Sequence, residues 1–316
     1  MMSMLIIHHW DTDGIASAAK LVKALDIRDY VNMSPDIGDF SFGQRIKDEA
    51  KKHDEIYVLD LNLPEEAVRL GKKLTFIDHH LQDRIDAPGI VQINPLVEGS
   101  DPMDHPSCTS VLSDHFGQWD LLSALGAVGD IGKKALDHPK VKDALDRTGI
   151  GIDETTMIVS LIDSNYLAVD LEAVESAVDT LLRSDVRELL DNSEWNRKLN
   201  NIEKTIRTSI EKREEIGRFA VIDFRSPYNI ISKLARKAVW EMGYNGALVI
   251  NRDFHGKGQT YFRIDRKTAE RIDMASIIGT LKEMGINAGG KKEVVGSVYP
   301  GERTEEVLSI IRPYIR

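Results

Sequence analysis

The stretch that most constrains this chain is a short apolar run that ends in three metal-capable side chains. Leu74–Ile77 has the composition of a buried strand, and Asp78, His79 and His80 follow it directly. Buried strands rarely end this way for packing reasons, because charged and hydrogen-bonding groups must be satisfied when they leave water. In open α/β sheets, ligands bind beyond the carboxyl ends of parallel strands. These side chains therefore predict a site at that edge of a sheet.

Strand-like and helix-like segments alternate through the N-terminal part of the chain. Helices are predicted directly after the first strand, at Phe42–Lys52 and at Glu65–Lys72. This alternation predicts an α/β fold with a doubly wound parallel sheet. The predicted strands are Met4–His8, Arg28–Met33, Glu55–Leu59, Leu74–Ile77 and Gly89–Ile93.

The length of 316 residues favours two domains over one. We expect residues 1–192 to carry the parallel sheet and the helices after it, and residues 193–216 to form a charged connecting helix. Residues 217–316 then form a smaller α/β domain with a mixed sheet. In this last domain, Gly289–Lys292 is predicted to be a loop before the strand Val294–Tyr299.

Charge is divided unevenly between the two parts of the chain. Residues 217–316 hold 17 Lys and Arg against 11 Asp and Glu, a net charge of +6, whereas residues 1–216 have a net charge of −16. This asymmetry favours an anionic substrate held by the C-terminal part, although a chance imbalance of surface charge gives the same numbers.

Cysteine and apolar content indicate the compartment. The single cysteine, Cys108, excludes an internal disulfide framework and fits a reducing cytoplasm. No apolar run approaches the length of a membrane span, and the N-terminus does not resemble a signal peptide. We therefore expect a cytoplasmic protein without a membrane partner.

Acidic and imidazole side chains follow the first, third and fourth predicted strands, and one more Asp follows the predicted helix Leu121–Val128. Such ligands suit Mn²⁺, Mg²⁺, Co²⁺ or Zn²⁺, and the absence of thiolates argues against a structural zinc site. Two cations about 3.5–4 Å apart, sharing a carboxylate and a hydroxide, would fit hydrolysis at phosphorus. Taken singly, each residue also has a structural explanation as a turn, a helix cap or a hydrogen-bonding core residue. The candidates are His9, Asp11, Asp13, Asp60, Asp78, His79, His80 and Asp130.

The order and spacing of these candidates resemble the motifs of the DHH phosphoesterase superfamily. The resemblance implies two Mn²⁺ ions, with Mg²⁺ or Co²⁺ as substitutes, and a bridging role for Asp60. It implies that Asp78 orients the histidines and that His80 faces the substrate phosphate or its leaving group; these are the two expected catalytic residues. The implied metal ligands are His9, Asp11, Asp13, Asp60, His79 and Asp130.

The C-terminal part resembles the DHH-associated domain of that superfamily. Arg263 on a predicted strand and the pair Gly289 and Gly290 match its substrate-binding elements, but Lys291 stands where the family usually has His. The resemblance implies that these four residues bind substrate. A fixed positive charge at Lys291 would then replace a titratable one.

Three functions remain open at this stage. The first is a Mn²⁺-dependent, exonuclease-like phosphodiesterase acting on short single-stranded oligonucleotides or dinucleotides, and the second is a phosphatase or exopolyphosphatase acting on pAp or polyphosphate. The third is a non-catalytic RecJ-like scaffold with a relic site. The sequence leaves the choice of RNA or DNA, the direction of attack and the oligomeric state open, a homodimer included.

Overall fold

A computed structural model describes residues 4–39 and 41–315 of the chain. The described residues form two compact units. The first unit ends at Leu199 and leaves out Leu167–Val169, which pack with the second unit that begins at Asn200. The division therefore falls inside the long helix Ser193–Glu211. Among the described residues, no helix is both long and apolar enough to cross a membrane.

The first unit is built on a five-stranded sheet in which all strands are parallel, in the order β2-β1-β3-β4-β5. Since β2 and β3 flank β1 on opposite sides, the chain reverses its direction of travel across the sheet at β1. Three helices, α1 (Thr12–Ala24), α2 (Gln44–Ala50) and α3 (Pro64–Arg69), connect the first four strands. The strands are β1 (Met4–His8), β2 (Tyr30–Met33), β3 (Ile56–Leu59), β4 (Leu74–Ile77) and β5 (Ile90–Ile93).

Both faces of this sheet are covered. Along β1, Ile6 belongs to the core beneath α1, whereas Leu5 and Ile7 belong to the core beneath α2 and α3. Successive strand residues point to opposite faces, so a strand buried on both sides must be apolar throughout. This explains the continuous hydrophobic runs in the sequence, and it confirms the predicted doubly wound α/β arrangement.

Helices make up the rest of the first unit, and α1 lies at their centre. It packs against α4, α5 and α8, and small residues such as Ala16 and Ala19 let these helices approach closely. These helices are α4 (Cys108–Phe116), α5 (Leu121–Ile131), α6 (Pro139–Thr148), α7 (Ile152–Leu167), α8 (Leu171–Arg183), α9 (Val186–Leu190) and α10 (Ser193–Glu211).

The second unit has a six-stranded mixed sheet in the order β10-β11-β9-β8-β7-β6. Only β7 and β8 pair in parallel among its described strands. The apolar side chains of α12 and α13 pack against one face to form the core, whereas α11 contacts β8 and β9. The elements are β6 (Glu214–Ile216), β7 (Phe219–Phe224), α11 (Ile231–Arg236), β8 (Gly246–Phe254), β9 (Lys257–Ile264), α12 (Met274–Glu283), β10 (Asn287–Lys291), β11 (Val294–Pro300) and α13 (Thr304–Ile311).

The predicted loop at Gly289–Lys292 was wrong, because Gly289, Gly290 and Lys291 belong to β10. Two adjacent glycines weaken a strand, but pairing along β11 outweighs that preference. At Gly290 the hairpin requires glycine, since an added Cβ would overlap the carbonyl oxygen of Val294. Strand pairing, which local composition does not reveal, therefore decides this segment.

Candidate metal centre

The predicted ligands of the first unit meet at the carboxyl edge of its sheet. His9 and Asp11 lie between β1 and α1, Asp60 follows β3, and His79 follows β4. Because β1, β3 and β4 are adjacent and parallel, their carboxyl ends lie side by side. The edge includes the place where the chain reverses direction, which is the usual location of ligand sites in such sheets.

One ligand group combines His9, Asp11 and Asp60. His9 Nδ1 lies 2.8 Å from Asp11 Oδ2 and 3.8 Å from Asp60 Oδ2. Asp11 is held by its role as N-cap of α1, where its side chain accepts a hydrogen bond from Gly14 N. At Gly14 an added Cβ would overlap the carbonyl oxygen of His9, so the tight strand-to-helix turn requires glycine there.

A second group combines Asp13, His79 and Asp130. His79 Nε2 lies 3.1 Å from Asp130 Oδ2 and 3.9 Å from Asp13 Oδ2. Asp130 is in the last turn of α5, not beyond a helix ending at Val128 as the sequence indicated. The helix continues through Gly129, where an added Cβ would lie 3.2 Å from Thr12 Cβ, so a small residue suits this close approach to α1.

Asp60 belongs to the first group and also to a third, with Asp78, His79 and His80, and His79 connects that third group to the second. Its Oδ2 faces His9, whereas its Oδ1 lies 3.4 Å from His79 Nε2. The backbone of Asp60 has a φ of 58°, in the left-handed region that residues other than glycine rarely adopt. Strained residues of this kind cluster at functional sites.

Asp78 fixes the two histidines that follow it. Its Oδ1 accepts hydrogen bonds from His79 N at 2.8 Å and His80 N at 3.4 Å, and it lies 2.8 Å from His80 Nδ1. The side chain of Asp78 is fully buried, whereas that of His80 is 44% exposed. Asp78 Oδ2 is buried without a hydrogen-bond partner among the described residues.

Further residues that the sequence analysis missed support the ligands. Asp13 accepts hydrogen bonds from Cys108 N at 2.6 Å and Thr109 N at 3.0 Å, at the start of α4. The positive end of the helix dipole favours a carboxylate there. Asp163 accepts from Thr12 N at 3.1 Å and fixes the start of α1. The sequence around Ser107 predicts the start of α4. Only the tertiary structure shows that this helix start lies beside Asp13.

Electrostatics indicate a site with unbalanced negative charge. Burial raises the pKa of Asp60 well above its usual range and that of Asp130 to about 7. The negative charge of Asp13 is the second cause of both shifts. Burial opposes protonation of His79, but hydrogen bonds to Asp130 and Asp60 raise its pKa to about 12. The carboxylates therefore gain stability from added positive charge.

The donor set fits divalent cations. Within each of the three groups, one carboxylate oxygen or imidazole nitrogen per residue lies within 4.8 Å of the others. Carboxylate and imidazole donors suit Mn²⁺, Mg²⁺ and Co²⁺, and the unpaired Asp78 oxygen leaves further acceptor capacity beside them. The residues present are therefore able to hold more than one ion.

The four predicted substrate-binding residues lie in the second unit. Strand register places Arg263 on β9, Val294 on β11 and Lys291 on β10 in one line across the sheet. Side chains in such a line share a face, so Arg263 and Lys291 stand on the same side, with Gly289 two residues from Lys291 on that side. Gly290 faces the other way.

No protein-family model and no curated protein sequence matches the chain. The fold matches solved structures that include a DHH-domain protein and exonuclease RecJ. One is a DHH-domain protein described as a member of a family of ribosomal proteins, with a TM-score of 0.73 and 14% identity over 99% of this chain and 86% of that chain.

Two other solved structures carry informative descriptions. Exonuclease RecJ bound to manganese has a TM-score of 0.70 and 17% identity over 99% of this chain and 90% of that chain. The pGpG-specific phosphodiesterase PggH from Vibrio cholerae has a TM-score of 0.54 and 14% identity over 99% of this chain and 98% of that chain. At these identities the likeness is one of fold.

Proposed function

We propose that this chain is a metal-dependent phosphoesterase that hydrolyses phosphodiester bonds of short oligonucleotides or dinucleotides. The observation that carries the proposal is the convergence of three carboxylate and imidazole groups, linked by Asp60 and His79, at one sheet edge. The descriptions of two structural neighbours, a manganese-bound exonuclease and a pGpG-specific phosphodiesterase, support this class of reaction.

Six side chains would hold two Mn²⁺ ions, with Mg²⁺ or Co²⁺ as substitutes. Asp60 is assigned as the shared ligand, because its two oxygens face His9 and His79. When bound, the cations would offset the carboxylate charge and supply Lewis acidity at the phosphoryl group. The proposed ligands are His9, Asp11, Asp13, Asp60, His79 and Asp130.

Asp78 and His80 are proposed to take part in proton transfer next to the metals. If Asp78 Oδ1 accepts a hydrogen bond from His80 Nδ1, the proton resides on Nδ1 and Nε2 is left free. The exposed part of His80 can then present Nε2 to a substrate oxygen. The imidazole can take up a proton at Nε2, and in that doubly protonated form it can donate to a phosphate oxygen or pass the proton to the leaving group.

The second unit is proposed to hold the substrate at a distance from the scissile bond. We assign residues 1–192 as the phosphoesterase domain and 217–316 as the substrate-binding domain. The predicted connecting helix 193–216 ends at Glu211, since Glu214–Ile216 form β6 of the second sheet. Arg263 can bind a phosphate with two parallel hydrogen bonds, and Lys291 adds a second positive charge on the same face. Glycines 289 and 290 leave the backbone accessible to an anion.

The test is product analysis of labelled RNA and DNA oligomers of graded length, with pAp, polyphosphate and a cyclic dinucleotide alongside, in the presence of Mn²⁺. We expect cleavage of phosphodiester bonds with highest efficiency on the shortest oligomers. Release of terminal phosphate alone would contradict the proposal in favour of a phosphatase. An inactive protein that still binds Mn²⁺ would contradict it in favour of a scaffold.

A further inference from the structure

Among the described residues, Trp240 is the most exposed tryptophan. It is 64% exposed and lies in the second unit, at the C-terminal end of the helical segment that begins with α11. There the helix widens into a π-type turn, in which Met242 N donates to Lys237 O at 3.1 Å. Such widened turns occur often at functional sites. The turn directs a large aromatic ring away from the core.

The inner side of the Trp240 ring is occupied by Arg263. The centre of the guanidinium lies 4.8 Å from the centroid of the Trp240 ring and 5.9 Å from that of Tyr261. Stacked guanidinium groups keep their in-plane N–H groups available for a bidentate acceptor such as a phosphate. Within residues 4–39 and 41–315, no carboxylate forms an ion pair with Arg263. Its Nη2 donates to the Tyr261 hydroxyl at 3.3 Å, and its buried Nε has no hydrogen-bond partner. Arg263 is therefore held in place by aromatic rings, and no described carboxylate neutralises its charge.

The sheet surface beside this pair includes two residues without side chains, Gly289 and Gly296. Tyr261 on β9, Gly296 on β11 and Gly289 on β10 lie in one line across the sheet, next to the line of Arg263 and Lys291. An added Cβ at Gly296 would lie 3.5 Å from the Tyr261 ring, and at Gly289 it would meet no atom within 4 Å. Two strand spacings separate Arg263 from Lys291, a distance of about 10 Å. A nucleotide is of this size.

We propose that Trp240 stacks on a nucleobase of the substrate while Arg263 binds the adjacent phosphate. The proposal rests on the phosphoesterase function given above and narrows its substrates to nucleotides. An inorganic polyphosphate has no ring to occupy the exposed face of the indole, whereas every base has one. Stacking does not depend on base identity, so the subsite favours nucleotides without choosing a sequence.

The kinetic test compares a dinucleotide with an analogue that keeps both phosphates and sugars but lacks the bases. Trp240→Ala should lower kcat/KM for the dinucleotide by about tenfold to a hundredfold, the usual effect of losing one base–aromatic stack. Hydrolysis of the base-free analogue should fall much less, because only the support that the indole gives Arg263 is lost. Trp240→Phe should restore most of the loss, because phenylalanine keeps a stacking face. Equal losses on both substrates would overturn the proposal, since Trp240 would then act only by supporting Arg263.

A binding test separates this proposal from the catalytic one. Adenosine 5′-monophosphate should quench tryptophan fluorescence, whereas ribose 5-phosphate should not, and Trp240→Phe should abolish the quench. Trp119→Phe is the matched control, because Trp119 lies in the first unit, where it stacks on His138, and should leave the quench intact. Quenching that persists in Trp240→Phe would overturn the nucleobase subsite. Quenching by a protein that hydrolyses no phosphodiester would overturn the proposed reaction alone.

Discussion

Asp60 combines burial, a left-handed backbone and membership of two ligand groups in one residue. Each property alone has an ordinary structural explanation. Together they place a carboxylate where its ionised form is disfavoured by burial and by neighbouring acids. The ionised Asp60 side chain therefore lowers the stability of the folded protein at neutral pH unless a cation is bound.

We expect Asp60→Asn to abolish Mn²⁺-dependent hydrolysis and to reduce the number of Mn²⁺ ions bound. Because folding raises the pKa of this carboxyl, its charge opposes folding at neutral pH, and the metal-free Asn variant should be at least as stable as the wild type. Asparagine also tolerates the left-handed backbone, whereas Asp60→Ala adds about 1–3 kcal/mol of strain. Turnover, titration calorimetry and thermal unfolding measure these effects. Near-normal turnover with two bound ions would refute the shared-ligand role.

Arg263 gives a second prediction at the scale of a single residue. Arg263→Ala should raise KM strongly for oligonucleotides, and it should lower kcat as well if binding at a distance positions the scissile bond. Hydrolysis of bis-p-nitrophenyl phosphate should change little, because this ester has no second phosphate.

Arg266→Ala is the matched control for Arg263→Ala, since the Arg266 side chain is 94% exposed and lies near Glu293. Its kinetics on both substrates should match those of the wild type. If Arg263→Ala reduces hydrolysis of both substrates equally, Arg263 serves the fold or the chemistry, and the proposed division of labour between the domains fails.

At the scale of elements, three packed helices hold the metal ligands that do not follow a strand. Asp13 on α1 accepts hydrogen bonds from the start of α4, and Asp130 comes from the end of α5. Gly126 lets α5 approach this junction, because an added Cβ would overlap Asp13 Oδ1 and Thr109 Oγ1. The ligand geometry therefore depends on close helix packing.

Gly126→Ala should lower the free energy of unfolding by about 1–3 kcal/mol, the usual result of overpacking, and should weaken Mn²⁺ binding. Gly279→Ala is the matched control in α12, where an added Cβ meets no atom within 4 Å. There the higher helix propensity of alanine should raise stability by about 0.5–1 kcal/mol. Urea denaturation measures both changes. A Gly126→Ala protein with wild-type stability and Mn²⁺ affinity would contradict this account of the junction.

At the scale of the whole molecule, metal binding is expected to couple to the stability of the first unit. Exhaustive chelation should abolish activity, and Mn²⁺ should restore it best. At a hundredfold excess over its Kd, one bound ion adds about 2.7 kcal/mol of stability. Thermal unfolding with and without Mn²⁺ should show this gain in the wild type and a smaller one in Asp60→Asn. Full activity after complete metal removal would rule out a metal-dependent reaction.

The sequence by itself determined the architecture of the first sheet and the positions of most candidate ligands. Apolar runs such as Leu74–Ile77 predict strands buried on both faces, and the alternation with helices makes those strands parallel. Residues that follow such strands, including Asp60 and His79, must then share one edge. Composition and periodicity are local properties, so they can be interpreted without the structure.

Only the tertiary structure decided which of these residues share a ligand group. His79 meets Asp130, and Asp13 meets Thr109, through the packing of α1, α4 and α5, although these residues lie far apart in the chain. The glycine pair predicted as a loop lies in the edge strand β10, because it pairs with β11. Packing also places Trp240 against Arg263. These features depend on contacts between distant segments, and the free energy of such contacts is not encoded in the local sequence of either partner.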